Sequence, residues 1–84
     1  MAEVVHEHSS RYLGEDGTIY VVRIWADQRE DGTWEGWLEF SPVTPEYAVR
    51  RTGRETTQPS REAVAYWALG LEPYYLDGAW ERSE

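Results

Sequence analysis

The sequence predicts a single two-layer α+β domain. It has a mainly antiparallel sheet of three or four strands, one face covered by a C-terminal helix, and a short second helix. Three observations carry this. Thr18–Ala26 and Thr33–Ser41 are strand-length runs rich in β-branched and aromatic residues. The polar stretch Asp27–Gly32 between them ends in Asp-Gly, a turn signal because glycine takes positive φ without steric cost. Further on, Val64, Trp67, Ala68 and Leu71 recur at i, i+3, i+4 and i+7, the stripe of a half-buried helix.

Alternation sends successive side chains of a strand to opposite faces. On the first arm of the hairpin, Tyr20, Val22, Ile24 and Ala26 form an apolar face, with Val21, Arg23 and Trp25 behind it. On the second, Trp34, Leu38 and Phe40 share one face, and Glu35, Trp37 and Glu39 the other. Upstream, Ala2–Leu13 reads as a first strand frayed over residues 1–3, and Gly14–Gly17 turns it back onto Thr18–Ala26. Pro42 and Pro45 end the ladder after Ser41, since each lacks a donor N–H. Tyr47–Thr52 reads as a fourth strand closed by Gly53. Thr57-Gln-Pro-Ser60 reads as a helix opening, with Pro in the first turn and Thr57 or Ser60 as cap. Pro73 opens the shorter second helix with Leu76, Ala79 and Trp80 inward, and Ser83–Glu84 is a short tail. The chain contains no linker, internal repeat or low-complexity segment on this reading.

Composition narrows the function. Sixteen acids against eight arginines leave a formal charge of −8, with no lysine. That balance argues against direct nucleic-acid binding, which rests on cations neutralising phosphates. The acids concentrate early: nine acids and three arginines in residues 1–41, seven and five in the rest. There is no cysteine, so no disulfide or thiolate metal site is available. No leader-like apolar run opens the chain, and none approaches the ~18 residues that cross a bilayer. The expectation is a cytoplasmic, bacterial protein with no membrane partner; arginine without lysine suits a GC-rich genome.

Two large rings on the outward hairpin face are the main functional signal. Val21, Trp25 and Trp37, rimmed by Glu35 and Glu39, form an apolar cluster of the kind that marks a protein interface. The competing reading is that another segment folds over them. Arg50, Arg51, Arg54 and Arg61 are a candidate anion site near a helix start. Pairing with the chain's own acids is the stronger reading, because no glycine-rich phosphate loop accompanies them. His6 and His8 have a metal-compatible i, i+2 spacing, but two ligands fall short of the three or four that zinc uses, so no metal and no cofactor is expected. No G-x-S-x-G elbow accompanies the serines, Glu55 and Glu62 near the helix start are ordinary surface acids, and no catalytic residue is assigned.

Several short stretches resemble the HicB-like antitoxin domain: Asp31-Gly32-Thr33-Trp34, Leu38-Glu39-Phe40-Ser41-Pro42, Gly53 with Thr56-Thr57, and Glu62-Ala63. The likeness spans about Thr18–Leu71. It implies an α+β fold that binds a partner protein. It does not extend to DNA binding, because no strand, helix-turn-helix or ribbon is legible after the helix. Together these readings predict a non-enzymatic interaction module, acting as a homodimer or on a separate protein. An acidic inhibitor that mimics nucleic acid toward a basic partner is the alternative, built on Glu15, Asp16, Asp27, Glu30, Asp31, Glu35 and Glu39. A small hydrolase is the weaker one.

Overall fold

In a computed structural model covering residues 1–84, the chain forms one antiparallel sheet with two helices. The strands are β1 (Glu3–Glu7), β2 (Tyr12–Leu13), β3 (Ile19–Gln28), β4 (Trp34–Pro42), β5 (Arg50–Arg51) and β6 (Thr56–Gln58). The helices are α1 (Arg61–Leu69) and α2 (Pro73–Arg82). The sheet is four columns wide: β1 and β2 share the column beside β3, and β5 and β6 share the column beside β4.

Six strands replace the expected three or four because both outer columns are interrupted. The expected strand Ala2–Leu13 is bulged between Val4 and His6 and broken after Glu7. There the His8 ring turns inward and accepts the Ser10 N–H at 3.0 Å. The expected strand Tyr47–Thr52 shrinks to Arg50–Arg51. Beyond it the Thr52 hydroxyl, not a backbone carbonyl, accepts the Leu38 N–H at 3.0 Å, and the chain steps away before resuming as β6. Thr57 and Gln58 belong to that strand, not to a helix opening: Glu35 pairs with Thr57 and Trp34 with Gln58. The helix begins later, where the Ser60 hydroxyl accepts the Ala63 N–H at 3.1 Å. The second helix is not the shorter one, with ten residues against nine.

Contacts reach close to both chain ends. Glu3 pairs with Arg61 at 2.7 Å, and Glu84 exchanges two backbone hydrogen bonds with Arg51 at 2.9 and 3.0 Å.

The two arms of the central hairpin pair as alternation predicts. Val22 lies opposite Phe40, Ile24 opposite Leu38 and Ala26 opposite Gly36. With Tyr20 these side chains are sealed by Val64 and Ala68 of α1 and by Leu76, Ala79 and Trp80 of α2. Both helices thus cover one face. Trp80 is the hub of the α2 end: its ring packs on Tyr20, Tyr12 and Phe40 at 4.8, 5.3 and 5.3 Å between centroids.

The hairpin turns share a device the reading without repeats overlooks. Glu-Asp-Gly-Thr occurs twice, at 15–18 and 30–33. In each copy the aspartate carboxylate accepts the threonine N–H at 2.9 Å, and the glycine takes positive φ, 85° at Gly17 and 89° at Gly32. An Asp-backed turn with left-handed glycine matches the twist of the flanking strands. Each copy sits at one end of β3.

Candidate functional site

The face without helices carries the odd-numbered residues of β3 and β4, and strand register arranges them in rows across the sheet. One row is Val4, Trp25 and Trp37. The two indoles stack across the strands, centroids 6.5 Å apart and planes 7° from parallel. Both are half-buried, although no layer lies over them. The Trp25 Nε1–H is shielded from solvent and has no acceptor, a cost that a buried polar group normally avoids.

The next row alternates in charge. Glu7, Arg23, Glu39 and Arg51 are successive cross-strand partners over all four columns. Glu7 lies 3.5 Å from Arg23, and Glu39 lies 3.2 Å from Arg51. Glu39 is only 6% exposed, a carboxylate submerged between two guanidinium-bearing neighbours.

Beyond that row the face is apolar again. Leu13 pairs with Ile19, Val21 with Ser41, and Val43 donates its N–H to the Ile19 carbonyl at 3.0 Å. Leu13, Ile19 and Val43 are 67%, 44% and 50% exposed. The expected residues Val21, Trp25, Trp37, Glu35 and Glu39 all lie on this face, which also carries Leu13, Ile19 and Val43, not named from the sequence. Alternation on β3 was the available signal for Ile19: it shares the odd-numbered set with Val21. At the opposite end, Asp27 and Glu35 face each other as like charges, with the Met1 ammonium 3.0 Å from Asp27.

The four arginines expected to hold an anion do not converge. Arg50 and Arg51 are adjacent strand residues and point to opposite faces. Arg50 stacks 3.9 Å over the Trp80 ring and donates to the Trp80 and Ser83 carbonyls at 3.0 Å, closing the end of α2. Arg51 is taken by Glu39 and Arg61 by Glu3. Arg54 is exposed in the segment between β5 and β6. Two of the four, Arg51 and Arg61, are thus in internal ion pairs.

Both nitrogens of His8 are engaged within the chain. Nδ1 accepts from Ser10, which makes Nε2 the donor to the Leu71 carbonyl at 3.0 Å. Glu55 and Glu62 do not act together. Glu55 turns to α2, accepting from the Tyr75 hydroxyl at 2.5 Å and from Arg82 at 2.7 Å. Burial pushes the Glu55 carboxyl up, but Arg82 and Tyr75 outweigh it and hold the group below its ordinary value. Its contribution to stability is thus present above the unfolded carboxylate range and lost as pH falls through the depressed folded value.

Three phenols shift the other way. Tyr12, Tyr20 and Tyr75 are pushed up to about 12, first by burial and then by the carboxylates of Asp77, Asp16 and Glu55. A raised folded value means that the stabilisation is intact below the unfolded value near 10 and drains as pH climbs toward about 12. We expect each of these phenols to remove of order 2 kcal/mol of urea stability between about pH 9 and pH 12. Tyr20→Phe should make that slope shallower, and phenolate absorbance should lag behind that of the unfolded chain.

Two open recesses mark the surface elsewhere. One lies beside α1 against Gln58, Ala63, Tyr66, Trp67, Gly70 and Leu71. The other, at the hairpin tip, is lined by Gln28, Arg29, Glu30, Asp31 and Glu35. No helix is long and apolar enough to cross a membrane. Comparison with models of known protein families, with curated proteins and with solved structures finds no match to this chain.

Proposed function

We propose that this chain is a non-enzymatic protein-interaction module and that its contact surface is the helix-free face of the sheet. The observation that carries the reading is the stacked Trp25–Trp37 pair, with its shielded and unpartnered indole N–H, on a face that no other part of the chain covers. The Trp and Arg side chains on this face are among the residue types enriched at interface hot spots. The occupant is a protein, either a second copy or a separate chain. The HicB-like wording points the same way, toward a partner protein.

The nucleic-acid-mimic alternative draws less support. Its acids form no continuous track: Glu15 and Asp16 lie at one end of β3, Asp27, Glu30, Asp31 and Glu35 near the other, roughly 30 Å away at strand rise, and Glu39 between them is submerged and paired with Arg51.

The test uses Trp25→Ser with Trp37→Ser. The double variant should keep its circular dichroism and lose about 1–2 kcal/mol of stability, the worth of a cross-strand aromatic pair. Its affinity for whatever protein the wild type binds, itself included, should fall at least ~30-fold, since a single Trp hot spot carries about 2 kcal/mol. Light scattering over a dilution series and affinity capture with both proteins as bait read this out. A wild type that stays monomeric and retains the same proteins as the variant refutes the reading.

A further inference from the structure

The identity of the occupant follows from the order of charges across the face; this step rests on the interaction face proposed above. We propose that the face receives a second copy of the same chain, packed face to face about a two-fold axis running parallel to the strands, between β3 and β4.

Two sheets that meet by a two-fold rotation have two natural axes in the plane between them. An axis perpendicular to the strands keeps the left-to-right order of the columns, so the row Glu7, Arg23, Glu39, Arg51 would meet itself with like charge over like. An axis parallel to the strands reverses that order. Glu7 then lies over Arg51 of the second copy, and Arg23 over Glu39 of the second copy, at all four positions. An alternating row of even length is self-complementary under this rotation alone, and the row here has four members in unbroken register. Three of the four have room to respond: the Glu7, Arg23 and Arg51 side chains are 54%, 36% and 60% exposed, while Glu39 is held by Arg51.

The same rotation leaves positions along the strand unchanged, so every other row is matched without a further choice of register. Trp25 of one copy lies over Trp37 of the other, Val21 over Ser41, and Ile19 over Val43. Aligned sheets of this kind pack ~10 Å apart with strands inclined by about 30°. An indole layer of two rings from each copy fills such a gap.

Size and charge set the expected strength. Four columns by about nine residues give a face of roughly 500 Å2 per copy at standard strand spacing, hence about 1,000 Å2 in total. That is the lower bound for a specific interface and implies a weak, concentration-dependent dimer. The Asp27–Glu35 row faces its own carboxylates across the axis, which also opposes association.

Paired charge reversals test the axis. Glu7→Arg and Arg51→Glu, made in separate chains, each place like charges opposite one another twice in a homodimer. Each alone should weaken self-association about tenfold. Mixed in equal amounts, they restore opposite charges at all four positions and should associate within about threefold of wild type. Because Arg51→Glu also removes the countercharge of Glu39, circular dichroism checks its fold. A second readout avoids charge changes: the chain has no cysteine, so Val21→Cys and Ser41→Cys in separate chains, treated with a short bismaleimide, should give the mixed 21–41 product over either homodimer. A mixture no tighter than its components, together with no preference for the 21–41 product, overturns the axis. If Trp25→Ser with Trp37→Ser nonetheless abolishes a wild-type dimer, the interaction face survives that result. A wild type that is monomeric at millimolar concentration overturns the second copy, while a foreign protein held by the wild type and lost by the Trp variant keeps the face.

Discussion

Trp80→Ala should cost about 3–5 kcal/mol, a large share of the stability of a domain this size. At typical values per residue, 84 residues give roughly 4–13 kcal/mol in total. Trp80 is 4% exposed and touches Tyr12, Tyr20 and Phe40, so its removal opens a cavity shared by three elements. It also strips Arg50 of its stacking surface, 3.9 Å away, and so loosens the cation that closes α2. In urea the midpoint should drop by at least about a quarter, or the cooperative transition should vanish. Trp80→Phe is the control. It keeps a ring in the cluster and removes an indole N–H that is buried without an acceptor, so it should cost only about 1–2 kcal/mol. Equal losses in the two variants would mean that the aromatic cluster is not what holds α2 to the sheet.

Gly36→Ala should destabilise by about 1–3 kcal/mol even though it adds a single carbon. A Cβ at this position would sit 2.8 Å from Val64 Cγ1 and 3.0 Å from Thr56 Cγ2. Gly36 therefore sets how closely α1 approaches β4, and it also lies beside the short strand β6. Relief of the clash distinguishes this from a general penalty for altering the strand. Val64→Ala alone should cost about 2 kcal/mol as a cavity. Combined with Gly36→Ala, the loss should fall short of the sum by at least ~0.5 kcal/mol, the size of coupling expected between touching residues. Strict additivity would show that the contact is not limiting.

Much of this architecture is legible without coordinates. The hairpin, its inner face from Tyr20 to Ala26, and the inward set Leu76, Ala79 and Trp80 all follow from period-two and period-3.6 patterning. The outward placement of Trp25 and Trp37 follows from the same rule. Thr56–Gln58 was illegible for a specific reason. Thr, Gln, Pro and Ser in sequence are the vocabulary of a helix opening, and only pairing with Glu35 and Trp34 turns the first two of these residues into a strand. The fate of Arg50 was equally hidden. Neighbouring arginines in a strand point apart, so a run that looks like one cationic patch is split between the core side and the open face.

The sequence by itself determined which side chains share a face and which stripe each helix turns inward, because those periodicities arise from local backbone geometry and chirality. Only the tertiary structure decided which columns stand side by side. That choice is made by contacts between residues far apart in the chain, whose loop-closure entropy no local pattern encodes. Glu7, Arg23, Glu39 and Arg51 are separated by 12 to 16 residues at each step. They become a row of alternating charge because β1, β3, β4 and β5 adopt one particular register.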